Sequence, residues 1–415
     1  MGERRSERRA RSAAPKLADT SGKRSPLSQR SGDAEFDGDT AVARVLEAAL
    51  RNRERVERAT HGFHTWPAGL HPDAARDLLS LGTGPVLDPF CGGGTILIEA
   101  MLAGRDALGC DINPVANMVA RARVAITDDA GRTALRGLCR RAADAGRLAG
   151  LQAAGRWEAS GGGDVFLPSD LPPYLFEWYE PHVIAELHAL RTAIGRDPLA
   201  LAVYSSILVK VSRRESDTAN RVVEGKRPIG TTSILFHKRA REYARQLEAL
   251  EGLVPAGARA RVHREDAREI RESGFGMVVT SPPYPGVYDY VPLQQLRLLW
   301  LGIDASAAVR AEIGSRRTFR TDRKDAIAEW REDTRRWVRA CAKALVPGGR
   351  LVVIQGDGNV GGKRIDSLGP LDEAASAAGM GRVARVTVER WDEGLENVRA
   401  EHCVAFERRD APVSS

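Results

Sequence analysis

The chain lacks a long apolar run: none of its 415 residues lies in a stretch of about 18 apolar positions, so no segment reads as a membrane span. The N-terminus is arginine-rich but carries no apolar core of a secretory signal. Cysteine is scarce. The five present, Cys91, Cys110, Cys139, Cys341 and Cys403, are spaced neither as metal ligands nor as a disulfide framework. These absences lead to the expectation of a cytoplasmic, reduced protein with no metal site and no membrane association. No internal repeat is present, which excludes a solenoid. What remains, 43% hydrophobic residues over 415 positions, suffices for one large domain or two ordinary ones.

Lysine is also in short supply, at eight of 62 basic residues, so a coding bias is an alternative explanation of the arginine abundance. The net charge of +7 is unevenly spread. Residues 1–32 hold nine basic and three acidic residues, which leaves the rest nearly neutral. Within that rest, residues 205–245 carry ten basic against four acidic residues, a second positive segment. Charge is therefore segregated, as a nucleic-acid partner would require.

Residues 1–38 are polar and charged with little apolar to bury, and are expected to form a disordered basic tail. A strand, a glycine-rich turn, a helix and a second strand follow in "GPVLDPFCGGGTILIEAMLAGRDALGCDINP". Residues 125–255 lose this alternation and read as a helical insertion, the candidate nucleic-acid recognition region. Strand patterns return at "RARVHRED", "GMVVTS", "GRLVVIQGD", "ARVTVER" and "EHCVAFERR", the last two alternating as an antiparallel pair. The expected fold is α/β, a seven-stranded, mostly parallel sheet built from residues 39–124 and 256–408, with residues 409–415 as a second tail.

Two motifs carry the chemistry. In "VLDPFCGGGT" a strand leads through Asp88, Pro89 and Phe90 into Gly92, Gly93 and Gly94, where the backbone can approach a ligand, and Thr95 opens a helix whose N-terminus faces the same place. Asp111, at the end of the second strand, is placed to accept hydrogen bonds from ribose hydroxyls. The turn does not spell G-x-G-x-x-G, and a carboxylate at Asp88 suits a cationic ligand better than a pyrophosphate. In "MVVTSPPYPGVYDY" a buried strand ends at Ser281, Pro282, Pro283 and Tyr284. The two prolines stiffen the exit from the sheet and hold Ser281 and Tyr284 at its C-terminal edge, where open α/β sheets bind ligands.

Together these motifs resemble the S-adenosylmethionine-dependent DNA amino-methyltransferases, the cytosine-N4 group in particular. "DPFCGGGT" is similar to that family's cofactor loop, departing from it at Gly93 where serine is usual, and "SPPY" is similar to its catalytic tetrapeptide. "HGFHTWPAGLHPDAARDLL" resembles the family's extra cofactor-contacting segment, which implies that His64 and Trp66 touch the cofactor. "VHREDAREI" aligns Asp266 with the residue that meets the adenine amino group. The resemblance implies a class I methyltransferase (Rossmann-like) fold and S-adenosylmethionine as cofactor. It also implies methyl transfer to an exocyclic amino group, cytosine N4 in DNA, as in a restriction-modification system.

The family's recognition region normally lies elsewhere, and here only 125–255 has room for one. Arg213, Arg214, Asp217, Lys226 and Arg227 are the candidate nucleic-acid contacts within it, Asp217 by fixing the turn. An RNA methyltransferase acting on guanine N2 is the alternative, since "DPFCG-GTILIEA" resembles those enzymes too. A nucleic-acid-binding protein with a decayed site is a third possibility, opposed by intact Asp88, Asp111, Ser281 and Tyr284. Cysteine is absent from the Ser281 loop, so the carbon-5 route, which needs a thiolate nucleophile, has no candidate there.

Overall fold

A computed structural model describes residues 31–51, 56–159, 172–219, 221–225, 227–391 and 398–409. Its centre is an eight-stranded sheet of β1 (Ser31–Gly38), β2 (Val86–Asp88), β3 (Ala107–Cys110), β4 (Ala260–His263), β5 (Phe275–Thr280), β6 (Leu345–Gly356), β9 (Met380–Trp391) and β10 (Val398–Arg408). A small hairpin of β7 (Gly358–Val360) and β8 (Lys363–Ile365) stands apart from it. The order across the sheet is β1-β9-β10-β6-β5-β2-β3-β4. Strands β4, β3, β2, β5 and β6 run parallel, and β10 lies antiparallel between β6 and β9. This is the class I methyltransferase architecture.

The seven strands read from the sequence are all present in the main sheet, while its eighth, β1, and the β7–β8 hairpin were missed. β1 pairs antiparallel with β9 over residues expected to belong to the disordered tail, so that expectation fails for 31–38, while residues 1–30 and 410–415 lie outside the described residues. Main-chain bonding to an open sheet edge holds β1, helped by an Arg382–Asp37 ion pair, and Phe36 stays 60% exposed. A strand with so little to bury leaves no apolar alternation to detect. Its last residue, Gly38, takes φ of +94°, and a Cβ there would sit 2.2 Å from the Val383 carbonyl oxygen.

Alternation along the other strands builds two cores. One face packs Val86, Met277, Val279, Val352, Ile354, Val386 and Val388 against the helices Thr40–Leu50, Pro72–Leu79 and Thr95–Leu102. The other packs Leu87, Val278, Leu351, Val353 and Val404 under the helices Arg323–Ala344 and Leu368–Ala377. Each such side chain contributes roughly 1.5–3 kcal/mol by leaving water.

The chain order reverses between β2 and β5, which run side by side at the centre. Between β3 and β4 come the helices Asp129–Ala159, Tyr174–Trp178, Pro181–Ile194, Pro198–Val211 and Thr231–Leu253. They bury Leu187, Tyr204, Phe236 and Tyr243 together with Phe63, Leu296 and Trp300 from the sheet-bearing segments, and the Phe63 and Tyr243 rings stack 3.7 Å apart. Sharing of that core fixes the insertion over the C-terminal edge of the sheet. No described helix is long and apolar enough to cross a membrane.

Candidate cofactor and catalytic site

A cavity of about 1390 Å³ opens at the switch between β2 and β5 and is walled by the sheet edge, the segment around Trp66 and the insertion. Both sequence motifs meet in it. Thr280, the last residue of β5, donates its hydroxyl to Asp88 Oδ1 at 2.8 Å, and the Phe90 amide donates to the same oxygen at 3.2 Å. Asp88 thus shares a hydrogen bond with the residue immediately before Ser281. Its burial raises the carboxyl pKa to about 7, the Thr280 and Phe90 donors offsetting only part of that cost.

Gly92 and Gly94 adopt left-handed φ of +47° and +78°, which let the turn fold back before the helix Thr95–Leu102 begins. Gly93 is closed in by its neighbours: a Cβ there would lie 2.8 Å from Arg123 Nη1 and 2.9 Å from Trp66 Cβ. Glycine at this position therefore has a physical cause, since Trp66 and Arg123 occupy the space a side chain would need. Arg123, buried, donates to the carbonyls of Gly93 and His61 at 2.9 Å each and to that of His64, binding the Trp66 segment to the turn.

Asp111 follows β3. Its Oδ2 accepts from the Gly92 amide at 3.0 Å and its Oδ1 from the Asn113 amide at 2.8 Å, so the carboxylate is fixed against the turn while lining the cavity. Burial raises it to about 6. If Asp111 accepts hydrogen bonds from ribose hydroxyls, replacing it by alanine removes them, and calorimetry should show a loss of cofactor affinity of roughly 1.5–3 kcal/mol with the fold intact. An unchanged affinity takes Asp111 out of the site.

Asp266 lines the same cavity, but both of its oxygens are engaged by Arg268, at 2.9 Å and 2.5 Å, and Arg268 also binds Asp333. Ser281, Pro283 and Tyr284 line the catalytic side, whereas Pro282 is buried. Tyr284 donates its hydroxyl to Glu401 Oε1 at 2.8 Å, and Glu401 Oε2 accepts from Arg390 Nε at 2.7 Å. The Tyr284 ring lies against Gly356, where a Cβ would come within 2.5 Å of it. Burial and the Glu401 charge push the phenol pKa up, with the nearby Ser281 side chain acting in the opposite direction.

Several expectations need correction. His64 is buried with Nδ1 bonded to the Thr65 carbonyl at 2.8 Å and Nε2 to Ser205 at 3.0 Å; its imidazole turns away from the cavity, which Thr65 and Trp66 line instead. It positions that segment and stays neutral, because burial lowers its pKa. Arg214 and Asp217 line the cavity but are buried and engaged within the protein: Arg214 donates to the carbonyls of Leu293 and Asp217 at 3.2 Å and 2.9 Å, and Asp217 pairs with buried Arg297. They join the insertion to the segment after the catalytic loop. Arg213 is half-buried and outside the cavity wall, Arg227 lines it while donating to the Ser212 carbonyl at 3.3 Å, and Lys226 lies outside the described residues. Gly94 packs on Ala120 and does not reach the cavity.

The sequence reading missed Glu401, Arg390 and Arg399. The signal was present in the strand alternation, which places them in phase with inward-facing Cys403 and Val388, but charged residues at strand ends carry no motif.

Residues 64–138 match a protein-family description, UPF0020, the RMKL-like methyltransferase domain. This part of the chain is similar to a methyltransferase domain. Its cofactor is S-adenosylmethionine. A curated relative, the Type II methyltransferase M.MvaI of Kocuria varians, is 24% identical over 258 residues, which cover 55% of this chain and 54% of that protein. The chain thus spans about half the length of that relative. Among solved structures, TrmN from Thermus thermophilus aligns with a TM-score of 0.32 at 12% identity, covering 82% of this chain and 50% of that one. The rRNA methyltransferase aviRa from Streptomyces viridochromogenes aligns at 0.31 and 14%, covering 83% and 88%. The fold assignment rests on the sheet order itself.

The site fits this cofactor by its donor set: the Asp111 carboxylate beside the glycine turn suits ribose hydroxyls, and buried Asp88 suits a cation. The charge on Asp88 gives the fit a pH dependence. A carboxyl raised from 3.8 to about 7 favours the protonated folded state, so the stability it contributes is present at low pH and lost as pH rises towards 7. A cationic cofactor reverses that preference and drives proton release on binding. Affinity should rise by up to about tenfold per pH unit between roughly pH 5.5 and 7. Calorimetry in buffers of different ionisation enthalpy reads the released proton directly, and a buffer-independent heat would exclude Asp88 as the cation's partner.

Proposed function

We propose that the protein transfers a methyl group from S-adenosylmethionine to the N4 amino group of cytosine in DNA. The observation that carries this reading is the Thr280–Asp88 hydrogen bond, which sets the cofactor turn directly beside the Ser-Pro-Pro-Tyr loop. When bound, the cofactor supplies an electrophilic methyl group on a sulfonium.

The residues of the chain prepare the acceptor. An exocyclic amino nitrogen is a weak nucleophile because its lone pair is delocalised into the ring. Ser281 Oγ and the loop carbonyls accept hydrogen bonds from the amino protons, favouring a pyramidal nitrogen with its lone pair aimed at the methyl group. Pro282 and Pro283 keep that geometry stiff, and the Glu401 bond fixes Tyr284 in the wall that receives a base rotated out of the helix. Of the cysteines only Cys91 lines the cavity, and burial raises its thiol pKa well above normal, so no thiolate is available for attack on a ring carbon. The similarity to a Type II methyltransferase supports the same reading.

Purified protein incubated with radiolabelled S-adenosylmethionine, duplex DNA and total RNA should place its label in the DNA. Label confined to RNA would replace the DNA assignment with the guanine-N2 alternative while retaining amino methylation.

A further inference from the structure

Thr280 and Ser281 are adjacent in sequence but reach different groups. Ser281 lines the cavity, whereas Thr280, at the end of β5, is 1% exposed and turns its hydroxyl to Asp88. The hydroxyl donates to Oδ1 at 2.8 Å, and the Phe90 amide reaches the same oxygen at 3.2 Å. One carboxylate oxygen therefore carries both protein donors. An oxygen that already accepts two hydrogen bonds is a poor seat for a proton, so without the cofactor the proton of a neutral Asp88 belongs on Oδ2. Burial favours that neutral form, and against it the Thr280 bond acts more strongly than that of Phe90. The ionisable groups that face Asp88 are Asp111 after β3, Cys91 in the glycine turn, Cys110 on β3 and Cys341 on the helix Arg323–Ala344. None of these four is a cation. Thr280 is thus the side chain by which the protein favours the ionised carboxylate.

We propose that Thr280 is a positioning residue for the cofactor: by occupying Oδ1 of Asp88 it directs the proton, and in its place the cofactor's positive charge, to Oδ2. The inference rests on the methyl-transfer reading above and holds whichever base is methylated. It makes the residue before the Ser-Pro-Pro-Tyr loop part of the cofactor half of the site. Binding then exchanges one proton for one cation, since a protonated carboxyl and a cationic cofactor give an ion pair and a proton released to solvent. Loss of the Thr280 donor raises the carboxyl pKa further, so the exchange becomes harder at every pH at which the variant is protonated and wild type is not.

Thr280→Val keeps the branched shape of the strand residue and removes the donor. Thr280→Ala removes it without setting a methyl group against the carboxylate, and Thr280→Ser restores it. Affinity for S-adenosylmethionine is measured by calorimetry across the range in which Asp88 titrates, from about pH 5.5 to about pH 9. The rise of affinity with pH should be displaced upward by about one unit in the valine and alanine variants, which is about tenfold weaker binding at about pH 6, closing to no difference by about pH 9. Thr280→Ser should follow wild type. Asp111 titrates in the same range in every one of these proteins and drops out of the comparison, while burial keeps the three thiols protonated throughout. Valine and alanine curves that superimpose on wild type overturn the proposal, whatever happens to methyl transfer. A uniform loss at every pH also overturns it and assigns Thr280 to packing alone, as does a serine variant that behaves like alanine. A wild type whose affinity ignores pH removes Asp88 as the cation's partner and the proposal with it, whereas a wild type that binds no S-adenosylmethionine removes the methyl-transfer reading itself.

Discussion

Replacing Ser281 by alanine should lower the rate of methyl transfer by about 10² to 10³-fold, the size of effect that follows loss of one preorganised hydrogen-bonding group at a reacting centre. Cofactor affinity should change little. The two readouts separate if, as proposed, Ser281 faces the acceptor while Asp88, Asp111 and the glycine turn, which line the same cavity, hold the cofactor. Single-turnover kinetics with saturating cofactor report the chemical step alone. A variant with wild-type rate would mean that the loop carbonyls suffice to orient the amino group. A variant that had lost cofactor binding would place Ser281 in the wrong half of the cavity.

The second large effect lies in stability. Asp217→Ala leaves Arg297, 2% exposed, as a buried cation without its carboxylate, retaining only Gln294 Oε1 at 2.7 Å and the Ser205 carbonyl at 3.3 Å. Removing one partner of a buried ion pair costs roughly 3–5 kcal/mol, because the charge left behind cannot regain its hydration. Chemical denaturation should show a midpoint well below that of wild type. If Asp217 instead supported a solvated nucleic-acid loop, stability would hold and only DNA binding would fall. Arg214 is tied differently, its three donors reaching main-chain carbonyls of its own loop and of Leu293, so its removal strands acceptors and not a charge.

Elements that bury apolar surface were legible in the sequence. Val86–Asp88 and Phe275–Thr280 are strands because their side chains have nowhere else to go in a central, two-sided sheet, and the glycines at 92 and 94 announce a turn that only they can make. What escaped notice was held by main-chain bonds or by partners distant in sequence. β1 is an edge strand with one exposed phenylalanine, so it has no pattern to read. His64 was correctly placed in a structured segment but wrongly aimed, because its partner, Ser205, lies 141 residues away on an insertion helix. The arginines at 213 and 214 look alike in sequence, and only the fold separates a half-exposed side chain from a buried tie. Glu401 became part of the site through a bond to Tyr284 across 117 residues, a pairing that β10 creates by running antiparallel beside β6.

The measurement closest to the central claim is the identity of the modified nucleoside. Duplex DNA methylated by the purified protein, digested to nucleosides and resolved by liquid chromatography with mass spectrometry, should yield N4-methyl-2′-deoxycytidine, and the Ser281→Ala protein should yield about 10²- to 10³-fold less in the same time. N6-methyl-2′-deoxyadenosine or 5-methyl-2′-deoxycytidine in its place would contradict the account, the latter most severely, since no cysteine stands beside Ser281 to open that route.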